Sequence, residues 1–375
     1  MKKIILVANT SKEHIRKFCI PLIDQLHANG WTVDVATRMD VPVPECDTAY
    51  DLPCDRNPWR SNIRQSVKVL REILRKNEYD ILVCSTVVGS IIARLAASTF
   101  RWTKGLKVVY MCHGLHFFPG AGRQRWLMGW PVETTLSFMT DAIIVTNDLD
   151  LELVNKYLKA IPTVEKSHSM GVDLHRFRDA VPTESERVEQ RAALGIGPED
   201  FVMSYVAEIL DNKNQMMLVN AFETIRHSIP NAKLLLIGPA HDGDALQRFT
   251  ESKGWEKDIL FLGWRSDIPE LLHLSDIYVA SSKSEGLGLN LIEAMACNIP
   301  VVATRNRGHL ETVVHERNGF LVDINDSEAM ANYVIQLYND AELRKKITDQ
   351  AQLDIEPYGT EAAMKELVEM VLRHA

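Results

Sequence analysis

The sequence predicts an α/β protein of two doubly wound parallel-sheet domains, and three observations carry that reading. Short β-rich runs alternate with helical-period segments from end to end, the pattern of parallel sheets with helices on both faces. The alternation begins again after a connector at 179–197 that holds Pro182, Thr183, Glu184 and Ser185 and runs into Pro198. At 375 residues the chain also exceeds what one typical core accommodates.

The first strand is expected at 3–8, where two lysines precede only five apolar residues, Ile4 to Ala8. That run is too short for a signal peptide and the right length for a buried strand. Further β-rich runs follow at 32–36, 81–84, 107–111, 142–145 and 164–167, with helices between most of them, for example at 63–75 and 90–98. The second half starts with 201–206 and continues with 233–237, 259–261, 277–280, 301–303 and 320–322. Helical-period sequence without strands closes the chain from 328. The domains are therefore expected at 1–178 and 179–356, with a helix at 357–375 packing back on the first. Arg94 and Glu293 interrupt the remaining apolar runs, so no segment is expected to span a bilayer and any membrane contact is peripheral.

Composition is that of a folded globular protein, 46% apolar and 25% charged with no low-complexity tract, which argues against disorder. The net charge of −8 is unevenly divided: residues 1–180 carry 24 basic and 19 acidic side chains, which leaves −13 for the rest. A mildly basic first half joined to an acidic second half argues against nucleic acid as a partner and permits contact with an anionic membrane. Cys19, Cys46, Cys54, Cys84, Cys112 and Cys297 show no paired spacing and read as reduced cytosolic thiols, neither a disulfide framework nor a zinc site.

In doubly wound sheets ligands bind beyond the carboxyl ends of strands. Four loops there stand out: 112–120 with His113, 207–214 with Glu208 and Lys213, 262–267 with Gly263, Trp264 and Arg265, and 281–288. The last continues into Ser284-Glu285-Gly286-Leu287-Gly288-Leu289-Asn290-Leu291-Ile292-Glu293, two carboxylates around a Gly-x-Gly turn that enters a helix. Glycines let backbone N–H groups approach an anion, and the helix N-terminus adds partial positive charge, an arrangement that suits a nucleotide-sugar diphosphate. Glu285, in the turn, is placed to meet hydroxyls. Glu293 lies in an apolar stretch, where a carboxylate is costly unless something such as ribose hydrogen-bonds it. The plainer alternative makes Glu285 a helix N-terminal acid and Glu293 the exposed edge of a buried helix. Neither half carries Gly-x-Gly-x-x-Gly after its first strand, which leaves a dehydrogenase the weakest alternative.

Taken together these residues resemble the family 4 retaining glycosyltransferases, which have the GT-B fold: two Rossmann-like domains facing an interdomain cleft. The E-x7-E element is Glu285 and Glu293, Gly171-Val172-Asp173 followed by Phe177 matches the interdomain element, and Phe261-Leu262-Gly263 matches the base-binding turn. Tyr50-Asp51-Leu52-Pro53, His113-Gly114-Leu115-His116-Phe117-Phe118, Trp130-Pro131-Val132-Glu133 and Arg307-Gly308-His309 look like the bacterial capsular and exopolysaccharide branch. Two positions depart from the family pattern. Ala207-Glu208 stands where Gly-Arg is common, which removes a fixed cation from the leaving group, and Asn9-Thr10-Ser11 replaces the glycine pair after the first strand.

The resemblance implies transfer of a hexose or N-acetylhexosamine from a UDP-linked donor to a lipid-linked or oligosaccharide acceptor, with no metal and no cofactor. Lys213 and the N–H groups of Gly286, Leu287, Gly288 and Leu289 would hold the diphosphate, Glu285 the donor sugar, Glu293 the ribose, and Gly263 to Asp267 the base. His113 would contact sugar hydroxyls near the reacting carbon. Lys213 as a surface lysine and His113 as a structural histidine are the competing readings. Asp148-Leu149-Asp150 imitates a metal-binding triplet, but it opens a helix, where acids are favoured by the dipole. A UDP-sugar 2-epimerase, a phosphorylase and a non-enzymatic sugar-binding clamp are the alternatives in function.

Association with the inner face of the membrane is expected from the segment 60–76, where Arg64, Lys68, Arg71 and Arg75 share a face beside a stripe of Ile63, Val67, Leu70 and Leu74. Arg101, Lys104, Lys107, Arg123, Arg125, Trp126 and Trp130 add basic and interfacial residues. The alternative is a core-packed helix with a solvated cationic side.

Overall fold

The computed structural model describes residues 2–55, 57, 62–241 and 243–375; Met1 of the N-terminal run and Arg60 of the basic segment lie outside the described residues. Two compact units divide the chain, residues 1–171 with 360–375 and residues 172–359.

Among the described residues the first unit is built on seven parallel strands: β1 (Lys3–Val7), β2 (Thr32–Thr37), β3 (Thr48–Asp51), β4 (Ile81–Ser85), β5 (Lys107–Cys112), β6 (Ala142–Val145) and β7 (Thr163–Lys166), ordered β3-β2-β1-β4-β5-β6-β7. The second has six, also parallel: β8 (Phe201–Val206), β9 (Ala232–Ile237), β10 (Ile259–Gly263), β11 (Ile277–Ala280), β12 (Val301–Thr304) and β13 (Phe320–Val322), ordered β10-β9-β8-β11-β12-β13. Both are doubly wound, Rossmann-like sheets. Strand order reverses between β1 and β4 and again between β8 and β11, and at such a point the loops leaving neighbouring strands diverge and open a crevice.

Apolar side chains fill both faces of each sheet, which is why the strands read as nearly continuous hydrophobic runs. Along β1, Ile5 and Val7 enter one core while Ile4 and Leu6 enter the other, the period-2 alternation of a strand. The sequence reading passed over β3, an edge strand whose Thr48, Ala49 and Asp51 are exposed. Residues 172–178, read as the end of the first domain, put Val172, Leu174 and Phe177 into the second unit's core. Helix Thr360–Leu372 packs in the first unit against helix Ile20–Ala28 through Met364, Leu367 and Val371.

Helix Ile63–Lys76 has its apolar stripe in the core: Leu70 and Leu74 are buried, Ile63 and Val67 pack beside them, and helix Val87–Ala97 covers that side. The Lys104 ammonium donates to the carbonyls of Leu74, Arg75 and Asn77 at 3.0, 3.0 and 3.2 Å and so caps the helix C-terminus. The stripe that suggested a membrane face is thus occupied by packing. No helix among the described residues is long and apolar enough to cross a membrane.

Candidate functional site

The loops after β8 and β11 meet at the point where the second sheet's strand order reverses. The β8 loop closes in a short turn, Asp211–Lys213, and Asn214 then adopts a left-handed conformation (φ 56°, ψ 39°) before helix Gln215–Ser228. Asparagine tolerates that region better than most residues, so the turn can be tight enough to project Lys213 back over the sheet. There the Lys213 ammonium meets the Glu285 carboxylate, Nζ to Oε1 2.6 Å, with both side chains largely buried. A pair 72 residues apart in sequence has become one charged unit at the strand ends.

Several bonds lock the two loops together. The Lys283 N–H donates to Asn212 O (2.8 Å), Asn212 Nδ2 to Ser284 O (2.9 Å), and the Ser281 hydroxyl to Lys213 O (2.8 Å). Beneath them the hydroxyls of Tyr205 and Ser282 lie 2.6 Å apart. From the other side, Arg307 Nε donates to Glu285 O (3.1 Å), and both Thr304 Oγ1 (2.6 Å) and Asn306 Nδ2 (2.9 Å) donate to Ser282 O. Gly308 makes this close approach possible, since a Cβ there would stand 2.7 Å from Glu285 Cβ and 2.9 Å from its carbonyl carbon and oxygen.

Gly288 has φ −82°, so its role is room rather than a special dihedral: a Cβ would lie 3.1 Å from the His309 ring. His309 is fully buried, with Nδ1 2.8 Å from Thr304 O, and burial holds its pKa down to about 4. Thr304, Asn306 and His309, behind the turn, had no role in the sequence reading. Arg307-Gly308-His309 was noticed only as a family pattern, although a glycine between two large polar residues was the available signal.

Glu293 lies in helix Leu289–Ala296, partly exposed, between buried Leu291, Ile292, Ala294 and Met295. Burial pushes its pKa up to about 7, opposed by the charge of Arg176. Arg176 also donates from Nη2 to Ser266 O (3.3 Å), which relates Glu293 to the loop after β10. In that loop Gly263 has φ +62°, Trp264 is exposed, and Arg265 pairs with Asp267, its Nε 2.8 Å from Oδ1. Gly263, Trp264 and Arg265 occupy the same rim as Lys213, two strands along from β8. Glu208 is exposed after β8 and lies 3.5 Å from His241.

In the first unit His113 follows β5. Its Nε2 is buried with no hydrogen-bond partner among the described residues, its ring stands edge-on to His14 at 5.4 Å, and burial lowers its pKa to about 4. The His14 ring in turn lies 2.7 Å from the Ser85 hydroxyl at the end of β4. The His113 loop is held by Asp150, whose carboxylate accepts from Leu115 N (3.1 Å) and Asn147 Nδ2 (2.8 Å), while Asp148 pairs with Lys166 at 2.5 Å. The acidic triplet therefore serves a helix start and a loop anchor.

Residues 186–354 match the family profile described as glycosyl transferases group 1, and residues 3–147 match that described as glycosyl transferase 4-like. Over 352 residues the chain is 36% identical to EpsD of Bacillus subtilis (strain 168), provisionally named a glycosyltransferase, covering 94% of this chain and 92% of that one. It is 27% identical to an Escherichia coli enzyme named UDP-Gal:alpha-D-GlcNAc-diphosphoundecaprenol alpha-1,3-galactosyltransferase, covering 74% and 70%. Among solved structures, Anabaena Alr3699/HepE in complex with UDP superposes with a TM-score of 0.80 over the full length of both chains at 20% identity, a likeness of fold.

Proposed function

The chain belongs to the glycosyltransferases of the group 1 and 4-like type, and from that premise we propose that it moves a hexose or N-acetylhexosamine from a UDP-sugar to a lipid-linked or oligosaccharide acceptor in the synthesis of a bacterial cell-surface polysaccharide. The observation that carries the reading is the Lys213–Glu285 pair at the β8/β11 crevice, a cation and a hydroxyl acceptor held together where this sheet type binds ligands. The E. coli relative's name supplies the UDP-sugar and the diphosphate-lipid acceptor as chemical precedents.

In this reading donor binding separates the pair. Lys213 and the N–H groups of the 286–289 turn take the diphosphate, and Glu285 takes donor hydroxyls. Glu293 accepts from ribose, and the 263–267 loop brackets the base. His113, neutral at pH 7, offers its Nε2 to the sugar. As the bond from the anomeric carbon to the diphosphate oxygen breaks, charge grows on that oxygen, and donors already aimed there contribute most. The acceptor oxygen bonds to the same carbon on the same face, and its proton passes to the departing diphosphate. No protein nucleophile and no metal take part, Lys213 supplying the cation that Glu208 does not. The enzyme works at the inner face of the membrane, where a lipid-linked acceptor resides.

A thermal-shift panel of UDP, GDP, ADP and their sugar conjugates tests this, followed by product analysis. Stabilisation by uridine nucleotides, with transfer or slow hydrolysis that leaves the sugar unisomerised and persists in EDTA, is expected. A released 2-epimer, or indifference to every nucleotide, would overturn it.

A further inference from the structure

With its Nε2 unpartnered among the described residues, the His113 ring takes its orientation from what packs against it. The ring in contact with it is His14, edge-on at 5.4 Å with the two planes 63° apart. His14 is held at both ends. Its backbone belongs to the segment Ser11–Cys19, wound as a π-helix in which Ile15 N donates to Thr10 O (3.3 Å), a winding that recurs at functional sites. That segment is pinned where it starts: Ser11 N donates to Arg38 O (2.9 Å), Val41 N to Ser11 Oγ (2.9 Å) and Glu13 N to Thr10 Oγ1 (3.1 Å). At the other end, His14 Nε2 lies 2.7 Å from the Ser85 hydroxyl, and both residues are buried. Ser85 closes β4, and the backbone just beyond it is strained: Thr86 has φ 62° and ψ 154°, a region that β-branched residues avoid. Asn9 N donating to Thr86 Oγ1 (3.2 Å) and Ser90 N to Thr86 O (2.9 Å) keep it there. A Cβ on Gly89 would stand 2.7 Å from Thr86 Oγ1 and 2.9 Å from the Ala8 backbone, so helix Val87–Ala97 clamps the ends of β1 and β4 together.

Topology explains why these three residues meet. Strand β4 lies between β1 and β5, so Ser85 at its end separates the loop after β1, which carries His14, from the loop after β5, which carries His113. Both imidazoles are neutral at pH 7: burial, with His113 beside it, holds the His14 pKa down to about 3, and burial holds that of His113 at about 4. No charge passes along this row, so what it transmits is orientation. We propose that His14, fastened by the Ser85 hydroxyl, is a positioning residue: its ring sets the angle at which His113 meets the donor sugar, and it touches no substrate itself. The inference rests on the proposed contact of His113 with the sugar and names what holds that contact in place.

UDP release by the full chain is followed with UDP-glucose, UDP-galactose and their N-acetylhexosamine counterparts, and the donor turned over fastest serves for every variant. His14→Ala should lower kcat about tenfold while KM for the donor stays within about twofold, and Ser85→Ala should lower kcat several-fold. His14→Phe, which restores a ring edge without the Ser85 bond, should recover part of the loss. A residue that only stabilises the core acts independently of His113, whereas a positioning residue has nothing left to do once the ring it orients is gone. In the His113→Asn background, His14→Ala should therefore cost less than about twofold more. Wild-type kcat in His14→Ala, or full additivity with His113→Asn, overturns the inference. Should His14→Ala fail to fold by circular dichroism, Ser85→Ala combined with His113→Asn decides by the same criterion. Wild-type turnover in His113→Asn removes the sugar contact and the inference with it. UDP-dependent thermal stabilisation is measured throughout: its retention beside an additive cycle refutes the positioning role alone, whereas its absence in wild type refutes the proposed function.

Discussion

Replacing Glu293 with Gln should stabilise the empty protein and weaken nucleotide binding, a combination that a purely structural carboxylate would not give. The carboxyl sits among Leu291, Ile292, Ala294 and Met295, and burial raises its pKa from 4.5 to about 7. The folded state therefore holds this proton more tightly than the unfolded chain. Stability from this group is full below pH 4.5, falls as pH rises through about 7, and stays low above it. At about 1.4 kcal/mol per pKa unit, the ionised carboxylate costs roughly 3 kcal/mol at pH 8. Partial exposure and the desolvation of the new amide reduce what the variant recovers to about 1–3 kcal/mol. Urea unfolding without nucleotide at pH 5, 6, 7 and 8 reads this directly: the gain should be small at pH 5 and reach its full size by pH 8. In the same variant UDP affinity should fall about tenfold or more, since the ribose hydrogen bond of the proposed function would meet a neutral amide in place of a charged carboxylate. A variant no more stable than wild type at pH 8, or a gain equal at pH 5 and pH 8, would refute the reasoning.

Gly308→Ala should abolish most turnover and lower the melting temperature, because its Cβ would stand 2.7 Å from Glu285 Cβ and drive the turn outward; a melt and an activity like wild type would contradict this. Glu285→Gln should lower turnover about a hundredfold while changing UDP affinity little, because the proposed function gives this carboxylate to the donor sugar and not to the nucleotide; paired titration and rate measurements separate the two. His113 has a folded pKa of about 4, below the ordinary 6.5, so the unfolded chain takes up this proton first and stability is lost as pH falls from 6.5 towards 4. His113→Asn should flatten that part of the acid-unfolding profile, measured as the urea midpoint against pH.

The strands that became sheet interiors were legible because burial on both faces leaves continuous apolar runs, as in 277–280 and 301–303. The edge strand β3 was not, since an exposed four-residue strand carries no hydrophobic pattern. Lys213 and Glu285 could each be placed at a strand end, but their contact follows from β8 and β11 being neighbours, a matter of topology. Arg94 read as a charge interrupting an apolar run; its partner lies 39 residues away in sequence, and no local pattern could supply it. Helix Ile63–Lys76 shows the converse limit. An apolar stripe beside a basic face has the same spacing whether it meets lipid or a neighbouring helix, and only the presence of helix Val87–Ala97 decides between them.

Calorimetric titration of UDP into wild type and Lys213→Ala at one ionic strength tests the diphosphate assignment most directly. Wild type should bind, and the variant should lose about tenfold or more of the affinity while keeping its fold by circular dichroism. Equal affinity in both proteins would place the diphosphate elsewhere and contradict the account.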